Sequence, residues 1–401
     1  HTPQPVNPRP QVTSPQADVY GFFAALFALI APGRFDRLVE YRNSKRGRPP
    51  EFPLPDLLAA LLFHFLCGAG TASEHMFQLL GRRLCDSAIA ERRSVLPWAL
   101  WEHWLREALR STAHRRRHPE AFYRGWRLVA IDGTQYSVSN TPQTSKELVK
   151  ASSRRAKAAF AKITACVLLE VGLHNPLAAA IGHSGQSEWQ LSAQLLAQLA
   201  KGCLLLADRL YGCGAFAALA LDRCQKVGSH FLIRARSNIK VTVQRRFRDG
   251  SRLIEVPVRH HKTRRLLRTI AVREIWGQVH RQGWRSEPLR LWTSLLDPTV
   301  APARELLELY GQRWEQELYF RQLKLQLRRT ALLQSHTVVT AAQEIALLIL
   351  ASALVAQERV HAAQGVAPVL RVSFAKVLEL LRPLWLLLAI AGDLLTEQQQ
   401  R

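Results

Sequence analysis

The chain has little of several things, and each shortage excludes something. Its six cysteines, at 67, 85, 166, 203, 213 and 224, form no C-x-x-C pair. A disulfide scaffold is therefore not expected; buried thiols in a reduced, cytoplasmic protein are. No His/Cys group has zinc-ligand spacing and there is no G-x-x-x-x-G-K-[ST] loop. Zinc chemistry and P-loop nucleotide hydrolysis are thus disfavoured. The longest apolar runs lie near 21–31, 345–356 and 383–391. All are shorter than the roughly 20 residues a spanning helix needs, and the first lacks a basic leader, so no membrane partner is expected. Methionine occurs once, at Met76, and the chain opens on His1. The natural start is therefore expected to be missing or altered. Lysine is scarce as well, with 11 against 44 arginines.

What is abundant is positive charge. Fifty-five basic and 31 acidic residues leave a net charge of +24 over 401 residues. A GC-rich genome accounts for an arginine-to-lysine bias but not for the excess of cations. Guanidinium groups bind phosphate bidentately, so a polyanion, and DNA first, is the expected partner. The length suffices for two or three domains and a sizeable core.

Residues 1–17, rich in Pro, Gln and Ser, read as a disordered tail. Residues 18–125 read as a helical, DNA-binding region: VYGFFAALFALI, LPDLLAALLFHFL, CDSAIAERRSVL and WALWEHWLREALR, closed by the basic run HRRRH at 114–118. The pattern then changes. WRLVAID, AFAKITACVLLEV, PLAAAIGHS, CLLLADRLYG and HFLIRAR have strand character, with helices at SEWQLSAQLLAQLA and 213–225. That order predicts an α/β core over 126–236, resumed at 290–345. Residues 237–289, with their Asp249-Gly250 turn, read as a β-rich insertion, and 346–401 as a C-terminal helical region.

Two of the apolar strands run into an aspartate: Asp132 in AIDGT and Asp208 in LADRLYG. A lone aspartate after a strand is usually a turn former, but sites in open α/β sheets gather at strand ends. A third signal lies in YGQRWEQELYFRQLK. On a helix at 100° per residue from Tyr310, Arg313 falls at about −60°, Glu317 at about −20° and Lys324 at about −40°. An acid is thus flanked by groups that bind phosphate. Three carboxylates of this kind suit two-metal phosphoryl transfer, with Mg²⁺ as a hard cation for oxygen ligands and Mn²⁺ as a substitute. Glu315 is the rival acid on this helix and falls on its other side.

The spacing Y-x2-R-x3-E-x6-K, together with AIDGT and LLLADRLYG in order, resembles the YREK signature of bacterial insertion-sequence transposases of the insertion-sequence-four family. The resemblance implies a ribonuclease H-like core interrupted by a β insertion. It also implies Asp132, Asp208 and Glu317 as catalytic metal ligands holding two ions, and Tyr310, Arg313 and Lys324 as clamps on the terminal phosphates of the transposon end. The implied activity is cut-and-paste transposition: cleavage at terminal inverted repeats, strand transfer by the freed 3′-OH, a hairpin on the excised end and a homodimer assembled on DNA. The setting would be bacterial cytoplasm, at the nucleoid. A nuclease of the same fold without strand joining, or a non-catalytic DNA-binding descendant, stays open beside it. Weaker candidates for DNA contact are Arg92 and Arg93 in the third helix, Arg154 and Arg155 beside Lys150 and Lys157, and RGRPP at 46–50. Trp284, in the turn-like RQGWRSE, is the candidate to stack on a flipped base; Trp276 and Trp292 read as strand-buried.

Overall fold

A computed structural model of the chain describes residues 52, 54–67, 70–152, 156–279, 287–328, 330–363 and 367–383. The expected tail at 1–17, the helix VYGFFAALFALI, the RGRPP hook and most of the final apolar run lie outside the described residues. Contacts divide the chain at Ala59/Ala60. A helix, α1 (Leu54–Leu66), runs across that boundary. Residues 60–401 form the larger unit. It opens with α2 (Ala72–Leu80), α3 (Asp86–Ser94) and α4 (Trp98–Ala108), and a short helix, α5 (Pro142–Glu147), comes later.

A mixed sheet follows, with helices on both faces. Its strands are β1 (Phe122–Tyr123), β2 (Trp126–Ser137), β3 (Lys162–Glu170), β4 (Asn175–Ile181), β5 (Cys203–Ala207), β6 (His230–Arg234), β7 (Thr242–Arg246), β8 (Arg252–Arg259), β9 (Leu266–Val279) and β10 (Glu287–Thr293). The order is β4-β3-β2-β5-β6-β10-β9-β8-β7, with β1 pairing β2. β2, β5 and β6 are mutually parallel; the other pairings are antiparallel. β5, CLLLA, is wholly buried, as a central parallel strand covered on both faces should be. The segment 237–289 supplies β7–β9 and joins this same sheet, because β10 bridges β9 to β6.

Side-chain alternation along the strands sorts the core into two layers. Val129, Ile131, Leu205 and Ala207 pack under α6 (Glu188–Leu196) and α7 (Gly214–Val227) through Leu191, Leu195, Phe216 and Ala220. Leu128, Ala130, Leu204 and Leu206 face the other way, against Leu306, Leu309 and Tyr310 of α8 (Ala303–Tyr310). After α8 come a 3₁₀ turn (Gly311–Arg313), α9 (Trp314–Gln322) and a π-helical turn (Leu323–Leu327). α10 (Val338–Ala363) packs on β3, β4 and α4.

Three expectations are corrected. The segment from about 302 to 328 is not one regular helix, because a 3₁₀ and a π turn interrupt it. The apolar runs are not all too short to span: α10, at 26 residues with a mean hydropathy of 2.1 over its best window, is long and apolar enough. That window is 94% buried inside the protein, which makes α10 a core helix here. Trp292 is fully buried, but Trp276 is 46% exposed on β9.

Candidate functional site

The register of the parallel pair β2–β5 places the two strand aspartates side by side. Ile131 pairs with Ala207, so Asp132 and Asp208 follow on neighbouring strands. By alternation both fall on the layer of Leu128, Ala130, Leu204 and Leu206, which is the layer that α8 covers. Asp132 is not the end of its strand: β2 continues to Ser137, paired with β3. It stands where the parallel pairing stops, so the sheet opens beside it on one edge only. The Asp132 carboxylate accepts from the Gly133 amide at 2.9 Å. Asp208 accepts from the Leu210 amide, in the tight turn after β5.

Glu317 is brought to this point by an arginine. The Arg313 guanidinium donates to Glu317 Oε1 at 2.6 Å and to Asp132 Oδ2 at 3.4 Å, so one cation ties the first turn of α9 to β2. The arginine is itself nearly buried. Burial, with the charges of Asp208 and Glu188 beside it, pushes the Asp132 carboxyl up to about 7, against the opposing pull of the Gly133 amide and Arg313. This is an acid short of compensating charge.

Tyr310 and Lys324 take different places from the stripe a regular helix would give. Tyr310 is buried at the end of α8 and its hydroxyl donates to the Ala207 carbonyl at 3.3 Å, next to Asp208. Burial raises its proton affinity. Lys324 lies in the π turn. Its ammonium is 5.6 Å from the Tyr136 ring centroid, as is the Arg328 guanidinium. Burial, then Arg328 and Lys162, lower its pKa. Converging cations of this kind favour an anion between them. Glu315, the rival acid, is turned away and bonds to His174 Nε2 at 2.8 Å.

The weaker candidates divide. Arg93 is turned inward and is not placed as a phosphate contact. Its guanidinium donates to the Thr340 carbonyl at 2.9 Å, Ser335 Oγ at 3.3 Å and Gln343 Oε1 at 3.4 Å, which docks α3 onto α10. Arg92 is half-buried and engaged with its surroundings. Lys150 donates to the Ala159 carbonyl at 3.0 Å. Arg154, Arg155 and Trp284 lie outside the described residues.

One acid at this point was missed from the sequence. Glu188, the first residue of α6, comes over Gly133 from the other layer of the sheet. Helix-start acids are common, and nothing in SEWQL separates this one from a routine cap. Among the described residues, no three His, Cys, Asp or Glu side chains are grouped tightly enough to cage an ion as they stand.

Comparison with known proteins adds to this geometry. Residues 124–354 match the family model described as "Transposase DDE domain". The chain is also 27% identical, over 251 residues, to the transposase InsG for insertion sequence element IS4 of Escherichia coli (strain K12). The match covers 61% of this chain and 55% of that relative, so the chain spans about half the length of the curated protein it matches.

Proposed function

For a chain that belongs to the DDE transposase family, we propose a DNA transposase that cleaves at the ends of its element and joins the freed 3′-OH to target DNA. The observation that carries this reading is the Arg313 bridge, which ties Asp132 to Glu317 beside Asp208. The sheet order supports a ribonuclease H-like core over 126–236 and 290–345: three parallel strands, β2, β5 and β6, with β3 and β4 antiparallel on the β2 side. On this reading 18–125 is the DNA-binding region, 237–289 the β insertion and 346–401 the C-terminal helical region.

Asp132, Asp208 and Glu317 are the residues that would hold divalent cations, Mg²⁺ or Mn²⁺. The donor set fits, since these are hard carboxylate oxygens, and Asp132 and Glu317 already share a positive group in Arg313. Bound ions would supply an activated water and charge stabilisation at the leaving oxygen. The protein's own groups supply placement. Arg313 balances two of the acids at the point where a phosphate would enter. Lys324, with Arg328 and Lys162 close by, offers a cationic seat for the next phosphate. Tyr310 braces the end of β5, and so Asp208, through the Ala207 carbonyl.

The test is cleavage and strand transfer on DNA carrying the element's inverted repeats. Asp132→Ala, Asp208→Ala and Glu317→Ala should each abolish cleavage and leave end binding intact. Binding by the intact protein should weaken by about 10³–10⁵ between 50 and 200 mM salt if roughly six to ten phosphates are neutralised. Cleavage without joining would favour the nuclease of the same fold. A triad variant that cleaved at the wild-type rate would remove that acid from the site. Hairpin formation on the excised end and a two-protomer, two-end complex are the finer parts of the proposal. Gel analysis of the excised ends and light scattering of the complex test them.

A further inference from the structure

Glu188 reaches the candidate site from the sheet face opposite the layer of Asp132 and Asp208. A methyl group built on Gly133 would lie 2.4 Å from Glu188 Cδ and 2.7 Å from its Oε1. The carboxyl group therefore rests directly on the backbone of the residue after Asp132. It explains why AIDGT carries glycine at 133, where the φ angle makes no such demand: any side chain would evict the acid.

The carboxylate is also steered. Tyr211, fully buried and three residues beyond Asp208, donates its hydroxyl to Glu188 Oε1 at 3.0 Å. Ser192 Oγ, buried one turn further along α6, lies 2.9 Å from the same hydroxyl. Two buried hydroxyls thus aim one carboxylate at the end of β2.

A capping role does not account for this. The start of α6 is already closed by Ser187 and Gln190. The Gln190 amide donates to Ser187 Oγ at 3.4 Å, and Gln190 Oε1 accepts from the Ser187 amide at 2.9 Å. An acid that served only the helix dipole would sit in solvent, where the interaction is free of a burial penalty. Here the carboxyl group is half-buried and turned back over the sheet, against the Gly133 backbone. The fold spends two buried hydroxyls on keeping this one carboxylate in place.

We propose that Glu188 is a fourth carboxylate of the phosphoryl-transfer site, presenting an oxygen to a divalent cation from the face of the sheet opposite Glu317. The inference rests on the metal-dependent reading of Asp132 and Asp208 given above. Tyr211 is then a positioning residue, acting through Glu188.

The experiment is Mn²⁺ binding by the full chain without DNA, followed by calorimetry and by loss of the free-ion paramagnetic signal, with melting curves in EDTA and in Mn²⁺. Glu188→Gln should weaken Mn²⁺ binding about tenfold, as loss of a ligand or its close support does. Tyr211→Phe, which keeps the charge and loses the steering bond, should give a smaller loss of a few-fold. In EDTA, Glu188→Gln should melt no lower than wild type, because it relieves repulsion; a merely structural acid predicts the opposite sign. Asp132→Asn serves as the reference. If it loses Mn²⁺ while Glu188→Gln and Tyr211→Phe bind as wild type does, Glu188 is no ligand and the proposal fails. If Asp132→Asn also binds normally, or wild type binds no Mn²⁺, the metal reading of the whole site falls with it.

Discussion

Two arginine–carboxylate clusters lie on the same sheet, and they treat their acids in opposite ways. In the inserted strands, Glu274 is fully buried yet accepts from Arg252, from Arg290 at 2.6 Å, from Trp276 Nε1 at 3.0 Å and from Trp292 Nε1 at 3.3 Å. Burial alone would raise its pKa, but the bonds from Trp276 and Arg290 outweigh it and the net direction is down. Asp249 behaves likewise, with burial outweighed by Ser251, the Ala303 amide and the buried Arg273. At the end of β2 the balance is reversed: one arginine serves two acids, two further acids stand near, and Asp132 is pushed up to about 7. Both places pair arginine with carboxylates. What differs is the ratio of donors to carboxylates. An acid with a full set of donors holds the fold together, while an acid left short of them is ready to take a cation.

The two clusters should respond oppositely to loss of an acid. The largest effect is expected at the satisfied cluster. Glu274→Ala removes the shared acceptor of two guanidinium groups and two indole N–H groups, and should cost about 3–5 kcal/mol of stability, read from urea unfolding. An unchanged midpoint would mean that the cluster is dispensable. At the frustrated cluster the sign is opposite. The folded protein binds the Asp132 proton more tightly than the unfolded chain, so stability without divalent ions should fall as pH rises from about 4 through about 7. Asp132→Asn cannot ionise, so it should flatten that slope and be more stable at pH 8 by up to about 4 kcal/mol. Parallel pH profiles for the two proteins would remove the frustration argument. The smallest effect is expected for Glu315→Gln. Glu315 is partly exposed and its partner His174 keeps a second bond, to Gln322 at 3.0 Å, so unfolding free energy should change by less than about 1 kcal/mol. Cleavage should change by no more than a few-fold. Loss of cleavage would return Glu315 to the candidate site.

Much of the site was legible because it depends on local pattern. Apolar runs that meet an acid mark Asp132 and Asp208, and alternation along the strands puts both on one layer. Glu317 and Arg313 were legible from helical spacing, since four residues bring i and i+4 together whatever happens further along. Lys324 and Tyr310 were not, because a 3₁₀ turn and a π turn change the rotation per residue on either side of α9. Long-range partners decided the remaining cases. Arg93 turns inward because Thr340 and Ser335 wait for it on a segment far along the chain. Trp276 stays half-exposed because β9 lies toward the open end of the sheet, where its ring flanks Arg252 and Arg290. Glu188 hides behind a routine capping pattern; only the missing side chain at Gly133 hinted that something had to fit above it.

The position of α10 in the chain has a consequence for biogenesis. This helix covers β3, β4 and α4, and Ser352 on it lies 2.9 Å from the hydroxyl of Tyr319, so it also braces α9. Asp132, Asp208 and Glu317 are all synthesised before it begins. A nascent or prematurely terminated chain ending before Val338 therefore carries Asp132, Asp208 and Glu317 but leaves β3 and β4 without this cover and the Glu317 helix without its backing. Such a chain should be inert and aggregation-prone. The helix with the most membrane-like composition among the described residues is thus a late-made piece of the core, and the elements it covers stay open until it docks.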